Sequence, residues 1–87
     1  MKDAKLWDYN EREYSDVQIP DGCKTFSIDM DEEVICPNCH ETLRYGDGYT
    51  SRRWHGAGGM GYAVCAKCYE KEWELEQLAS FRNKRLN

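Results

Sequence analysis

Cys36-Pro37-Asn38-Cys39 and Cys65-Ala66-Lys67-Cys68 decide how this chain is read. In each Cys-x-x-Cys pair, two intervening residues let the backbone fold back so that both sulfurs point to one side. Together the pairs supply four thiolates, a closed tetrahedral set for one structural Zn²⁺ ion. Pro37 stiffens the first turn. Backbone N–H groups in such a turn can donate to the thiolates and offset their charge. The second pair opens a predicted helix, where unpaired N–H groups and the helix dipole favour thiolate. An all-thiolate shell accepts iron as well as zinc; zinc is the reading adopted and iron stays open. Two pairs separated by a hairpin argue against a thioredoxin-like redox site, which needs one pair in a βαβ setting.

Working outward from the cysteines, Val34-Ile35 leads into the first pair. Thr42 to Tyr45, the turn Gly46-Asp47-Gly48 and Tyr49 to Trp54 predict a hairpin. His55 to Gly61 reads as a glycine-rich loop, and Tyr62-Ala63-Val64 as a short strand delivering Cys65. From Ala66 the pattern is helical. Glu70, Glu72, Glu74 and Glu76 lie early and Arg82, Lys84 and Arg85 late, matching the helix dipole. At 100° per residue Cys68, Leu75, Leu78, Ala79 and Leu86 share one face, expected to cover the metal lobe. Tyr69 and Trp73 sit one turn apart on another side. Upstream, Val17 to Ile19, the turn Pro20-Asp21-Gly22 and Cys23 to Ile28 predict a further hairpin, with Phe26 and Ile28 on one face. Residues 1–16 are charged, interrupted by Leu6, Trp7, Tyr9 and Tyr14 without a clean period, and read as an irregular arm or short helix docking its aromatic residues.

Eighty-seven residues predict a single α+β domain, with 1–33 as N-terminal arm and hairpin and 34–87 as zinc lobe with C-terminal helix. So short a chain buries only about 60% of its unfolded surface, and a metal staple fits that need. Acid is unevenly placed: residues 1–35 carry a net charge of −6 and residues 36–87 a net of +2. That is not the basic face of a general nucleic-acid binder. No apolar run approaches the ~20 residues of a membrane helix, and Met1 to Asp8 lacks a signal-peptide core. The expectation is a cytoplasmic protein with no membrane association. In a reducing compartment five cysteines read as four ligands and one spare thiol, Cys23, a small buried apolar residue.

Knuckle, hairpin and helix in this order resemble the treble-clef class of zinc fingers over residues 34 to about 82. Trp54-His55 ahead of the second pair is similar to one zinc module of a LIM domain. The resemblance implies protein or nucleic-acid binding. Three functions follow. The first is a non-enzymatic protein-interaction module, adaptor or regulator, with Tyr69, Trp73, Phe81 and Trp54 as contacts, Trp7 nearby, and a protein partner or homodimer. The second is a nucleic-acid-binding finger using Arg44, Arg52 and Arg53 with stacking by Tyr49 and Trp54. The third is an HNH-type nuclease, for which Trp54-His55 is the available histidine element. His40 and His55 read as surface or supporting groups rather than ligands. Gly56-Ala57-Gly58-Gly59-Met60-Gly61 matches G-x-G-x-x-G formally, but it runs into a strand rather than a helix and reads as a loop.

Overall fold

The structure, a computed structural model, describes residues 1–86, with side chains placed as far as Ser80. Its elements are β1 (Lys2–Asp8), β2 (Glu13–Ile19), β3 (Glu33–Ile35), β4 (Thr42–Arg44), a 3-10 turn at Tyr45–Asp47, β5 (Tyr49–His55), β6 (Gly61–Val64) and α1 (Ala66–Leu86). The strands form a four-stranded antiparallel sheet in the order β2-β1-β5-β6 and a separate pair β3-β4. This is a small α+β fold with one C-terminal helix.

The N-terminal segment is strand, not arm or helix. β1 pairs with β2 from Lys2 opposite Ile19 to Asp8 opposite Glu13. Asp8 makes the reversal: its carboxylate accepts the N–H groups of Asn10 (2.8 Å) and Glu11 (3.1 Å), and its carbonyl accepts that of Arg12 at 2.8 Å. Arg12 closes the turn with φ 57°. Period-2 alternation then sorts the faces. Ala4 lies opposite Val17 and Leu6 opposite Trp54. Ala4 and Ile19 join Cys23 and Tyr62 in one core, with Val17, Ile35 and Trp54 packed against it. Trp7, Tyr14 and His55 take the opposite face and touch one another, with ring centroids 4.9 and 5.5 Å apart.

The upstream hairpin therefore differs from expectation. Pro20 to Gly22 is a turn, with the Cys23 N–H reaching the Pro20 carbonyl at 3.2 Å. Cys23 to Ile28 is not a strand: β2 pairs with β1 instead, and the Lys24 carbonyl accepts the Ala63 N–H of β6 at 2.9 Å. The expected hairpin across Thr42 to Trp54 is also replaced. β4 folds back on β3, Leu43 opposite Val34, while β5 pairs with β6 and β1. The cause lies outside the segment: Tyr45 and Gly46 donate to the carbonyls of Glu32 and Met30, both at 2.8 Å, which ties the intervening turn to the preceding loop.

Helix α1 also presents a different inner face. Cys68, Glu72 and Ala79 are buried, while Leu75 and Leu78 are exposed. Cys68 and Glu72, one turn apart, are both anchored, and they set the rotation of the helix. The leucines fall beside that stripe. Among the described residues no helix is long and apolar enough to cross a membrane.

Candidate metal centre

Strand β3 ends at fully buried Cys36. The Cys36 N–H donates to the Glu41 carbonyl (2.9 Å) and the His40 N–H donates to the Cys36 carbonyl (2.8 Å), closing a tight loop around Pro37-Asn38-Cys39. His40 sits at φ 64°, the left-handed conformation such a loop needs to rejoin β4. The other pair is delivered by buried Val64. The Cys65 carbonyl accepts the Tyr69 N–H at 2.9 Å, so Cys65 immediately precedes the helix and Cys68 lies in its first turn. Val64, Cys36 and Cys68 form a second core, against which Leu43, Trp54, Cys65 and Tyr69 pack.

These two turns bring the sulfurs of Cys36, Cys39, Cys65 and Cys68 to within 4.8 Å of one another. Cys39 Sγ and Cys65 Sγ stand 3.7 Å apart. A tetrahedron with metal–sulfur bonds of ~2.3 Å has edges of ~3.8 Å. The four residues can therefore coordinate one metal ion, and an all-sulfur set is the donor chemistry of a zinc or iron site. Asn38 supports the shell from outside: its Nδ2 donates to Cys68 Sγ at 3.2 Å. Burial pushes the Cys68 thiol up, opposed by this amide. Burial also acts to raise Cys65, but the backbone N–H of Cys68 and the neighbouring thiols outweigh it and hold Cys65 below the usual thiol range. Cys36 and Cys68 are buried, Cys65 is half-buried and Cys39 is exposed, so the centre reaches the surface at Cys39.

The other candidates lie outside this cluster. Cys23 is fully buried in the first core, where burial pushes its thiol up to about 11. His55 ends β5; its Nδ1 is buried without a hydrogen-bond partner. Burial holds its imidazole below the ordinary 6.5, with Glu72 pulling the other way. The three arginines each meet an acceptor. Arg44 bonds Asp47 at 2.9 Å and lies 3.4 Å from Asp31, Arg52 pairs with Glu76, and Arg53 donates to the Trp7 carbonyl at 3.4 Å. The glycine-rich stretch is the β5–β6 reversal. Gly56 donates to the Met60 carbonyl and Gly59 to that of Gly56, so these amides are used within the loop. Gly61 has no room for a side chain, since a Cβ there would stand 2.3 Å from the Ser51 carbonyl oxygen.

The aromatic candidates separate. Tyr69 stacks on Tyr49 with centroids 4.8 Å apart and planes 15° from parallel. Trp73, one turn further on, is exposed. Trp54 turns inward between the two cores, and its indole N–H is buried without a partner. The Phe81 side chain lies outside the described residues. Trp7 lines an open cleft of about 650 Å³ with Tyr9, Tyr14, His55, Arg52 and Glu76. The Tyr9 hydroxyl there is buried and unpartnered, and burial, with Glu72 and Glu76, raises it to about 12.

Sequence reasoning missed Glu72, which is only 3% exposed. Its carboxylate accepts Ser51 Oγ–H at 2.6 Å and the Arg52 N–H at 2.8 Å. Ser51 Oγ in turn accepts the N–H groups of Arg53 (3.0 Å) and Trp54 (2.8 Å), where the β5–β6 pairing loses register. A signal was available: Glu72 stands one turn after Cys68, on the helix face that Cys68 turns inward. Compared with known proteins, the chain matches no family model, no curated protein and no solved structure.

Proposed function

We propose that this chain is a structural-zinc module that docks a protein partner and is not itself an enzyme. Cys36, Cys39, Cys65 and Cys68 hold one Zn²⁺. Knuckle β3–β4, hairpin β5–β6 and helix α1 then follow the treble-clef order. Four thiolates leave no coordination position open for substrate, so the ion supplies folding energy, about 10 kcal/mol or more in finger peptides, rather than catalysis. The five thiols suit a reducing compartment, the cytoplasm.

One observation carries the interaction reading. Tyr49, Tyr69 and Trp73 form an aromatic surface at the start of a helix held from beneath by the Cys68 and Glu72 anchors. Rigid aromatic side chains of this kind dominate protein interfaces. Trp54, spent on the cores, is not assigned to the contact. Engagement of Arg44, Arg52 and Arg53 by acids or backbone favours a protein over a nucleic acid as the partner.

Capture of partners by zinc-loaded parent and Trp73→Ala tests this. The expected result is a set of proteins recovered with the parent and lost with the variant, whose helix content is unchanged. Equal recovery with both contradicts the assignment. Retention on single- or double-stranded oligonucleotides at low salt, lost steeply as salt rises, would establish the nucleic-acid alternative instead.

A further inference from the structure

Between β2 and β3 lies an acidic loop that is bonded to the rest of the fold and yet turns its largest apolar side chains outward. Several of its polar groups are tied down. The Lys24 carbonyl accepts the Ala63 N–H at 2.9 Å, and the Met30 and Glu32 carbonyls accept Gly46 and Tyr45. Buried Ser27 donates to Glu32 Oε1 at 2.6 Å and accepts the Asp29 N–H at 3.1 Å. The Asp29 carboxylate accepts the Asp31 N–H at 3.0 Å, and Lys24 pairs with Glu32. This scaffold holds three large apolar side chains in water: Phe26 at 62% exposure, Ile28 at 89% and Met30 at 56%. The backbone bonds serve the chain path, but they do not account for apolar side chains at Phe26, Ile28 and Met30 left in water.

The display is continuous with the aromatic surface. Phe26 meets Tyr45 edge-on at 6.4 Å. Met30, Tyr45 and Tyr49 border a shallow groove of about 180 Å³, and Tyr49 leads on to Tyr69. The surrounding charge is one-sided. Asp29, Asp31, Glu32, Glu33 and Asp47 outnumber Lys24 and Arg44 in these stretches of the sequence. Lys24 is committed to Glu32, and Arg44 is shared between Asp31 and Asp47. Among the described residues no cation lies within ion-pair distance of Asp29 or Glu33.

We infer that the Phe26–Ile28–Met30 loop is a preformed docking surface for a partner segment carrying apolar side chains flanked by Lys or Arg. The inference rests on the protein-interaction reading and locates its specificity. Order in the free protein lowers the entropy lost on binding. Unpaired carboxylates around an apolar centre select a basic partner and speed its approach. The same charge repels an anionic bilayer, which sets a peptide apart from a membrane as occupant.

Selection of a random linear peptide library on the zinc-loaded full chain tests it. The expected peptides combine apolar residues with Lys or Arg and bind the parent. They should lose about tenfold or more in affinity to Ile28→Ser and to Phe26→Ser. They should weaken a few-fold with Glu33→Gln and as salt rises. These side chains are exposed, and an unchanged amide NMR spectrum away from the loop confirms that each variant folds. Peptides that lose affinity only to Trp73→Ala overturn the loop assignment and leave the interaction reading standing. Selected peptides without basic residues overturn the charge complementarity. A library that yields no binder overturns both. Ile28-dependent binding to vesicles containing phosphatidylserine replaces the peptide occupant with a lipid surface.

Discussion

Replacing Glu72 with Ala removes the latch between α1 and β5. The carboxylate accepts two hydrogen bonds, from Ser51 Oγ at 2.6 Å and the Arg52 N–H at 2.8 Å, in a site only 3% exposed. Hydrogen bonds to a charged partner contribute about 1.5–3 kcal/mol each, and the cost rises where a buried donor is stranded. Part of this is returned because the carboxylate no longer has to be desolvated. A net loss of about 3 kcal/mol follows, which for a domain of this size lowers Tm by about 12–24 °C. Glu72→Gln keeps one acceptor and should lose about half as much. Glu70→Ala, on the exposed side of the same helix, should change little. The assay is thermal and urea unfolding of zinc-loaded protein with free zinc held constant, since bound metal adds its own stabilisation. A Glu72→Ala protein within about 0.5 kcal/mol of the parent, or a Glu70→Ala protein equally destabilised, refutes the latch.

Asn38→Ala removes the amide that donates to Cys68 Sγ and should weaken metal affinity about tenfold, read by competition with a chromophoric chelator; equal affinity would show that the amide does not support the ligand. His40→Gly relieves the left-handed φ of 64° and should raise stability to urea by about 0.5 kcal/mol, the net of relieved strain and a more flexible unfolded chain; a loss of stability would mean the imidazole makes a contribution of its own. Burial depresses the His55 pKa in the folded state, so the unfolded chain takes up the proton first. The stability advantage of neutral His55 is complete above pH 6.5 and shrinks as the pH falls below it. The parent-minus-His55→Gln difference should decline over that range, and a difference that grows as the pH falls contradicts the burial argument.

The four-cysteine cluster was legible because its signal is a spacing: two Cys-x-x-Cys pairs require no knowledge of the intervening path. The helix was equally plain, since Ala66 onward combines strong helix formers with charges ordered along the dipole. The path between the pairs was misread. Gly46-Asp47-Gly48 looks like a hairpin turn, yet the bonds from Tyr45 and Gly46 to the Met30–Glu32 carbonyls redirect the chain, and those partners are long-range. Strand β1 was hidden because Lys2-Asp3-Ala4-Lys5-Leu6 offers only Ala4 and Leu6 to the alternation. The Asp8 turn that joins it to β2 was overlooked in favour of Pro20-Asp21-Gly22. Phe26 and Ile28 read as one face of a strand because alternation does not distinguish a strand from a loop that displays apolar groups. The same blindness hid Glu72, which is buried for its hydrogen bonds, and overrated Leu75 and Leu78.

Zinc X-ray absorption on the purified, untreated protein tests the central claim most directly. The account predicts one zinc per chain with a first shell of four sulfurs at ~2.3 Å and no nitrogen or oxygen. A shell containing nitrogen, or metal-free protein that keeps the same folded spectrum, contradicts it.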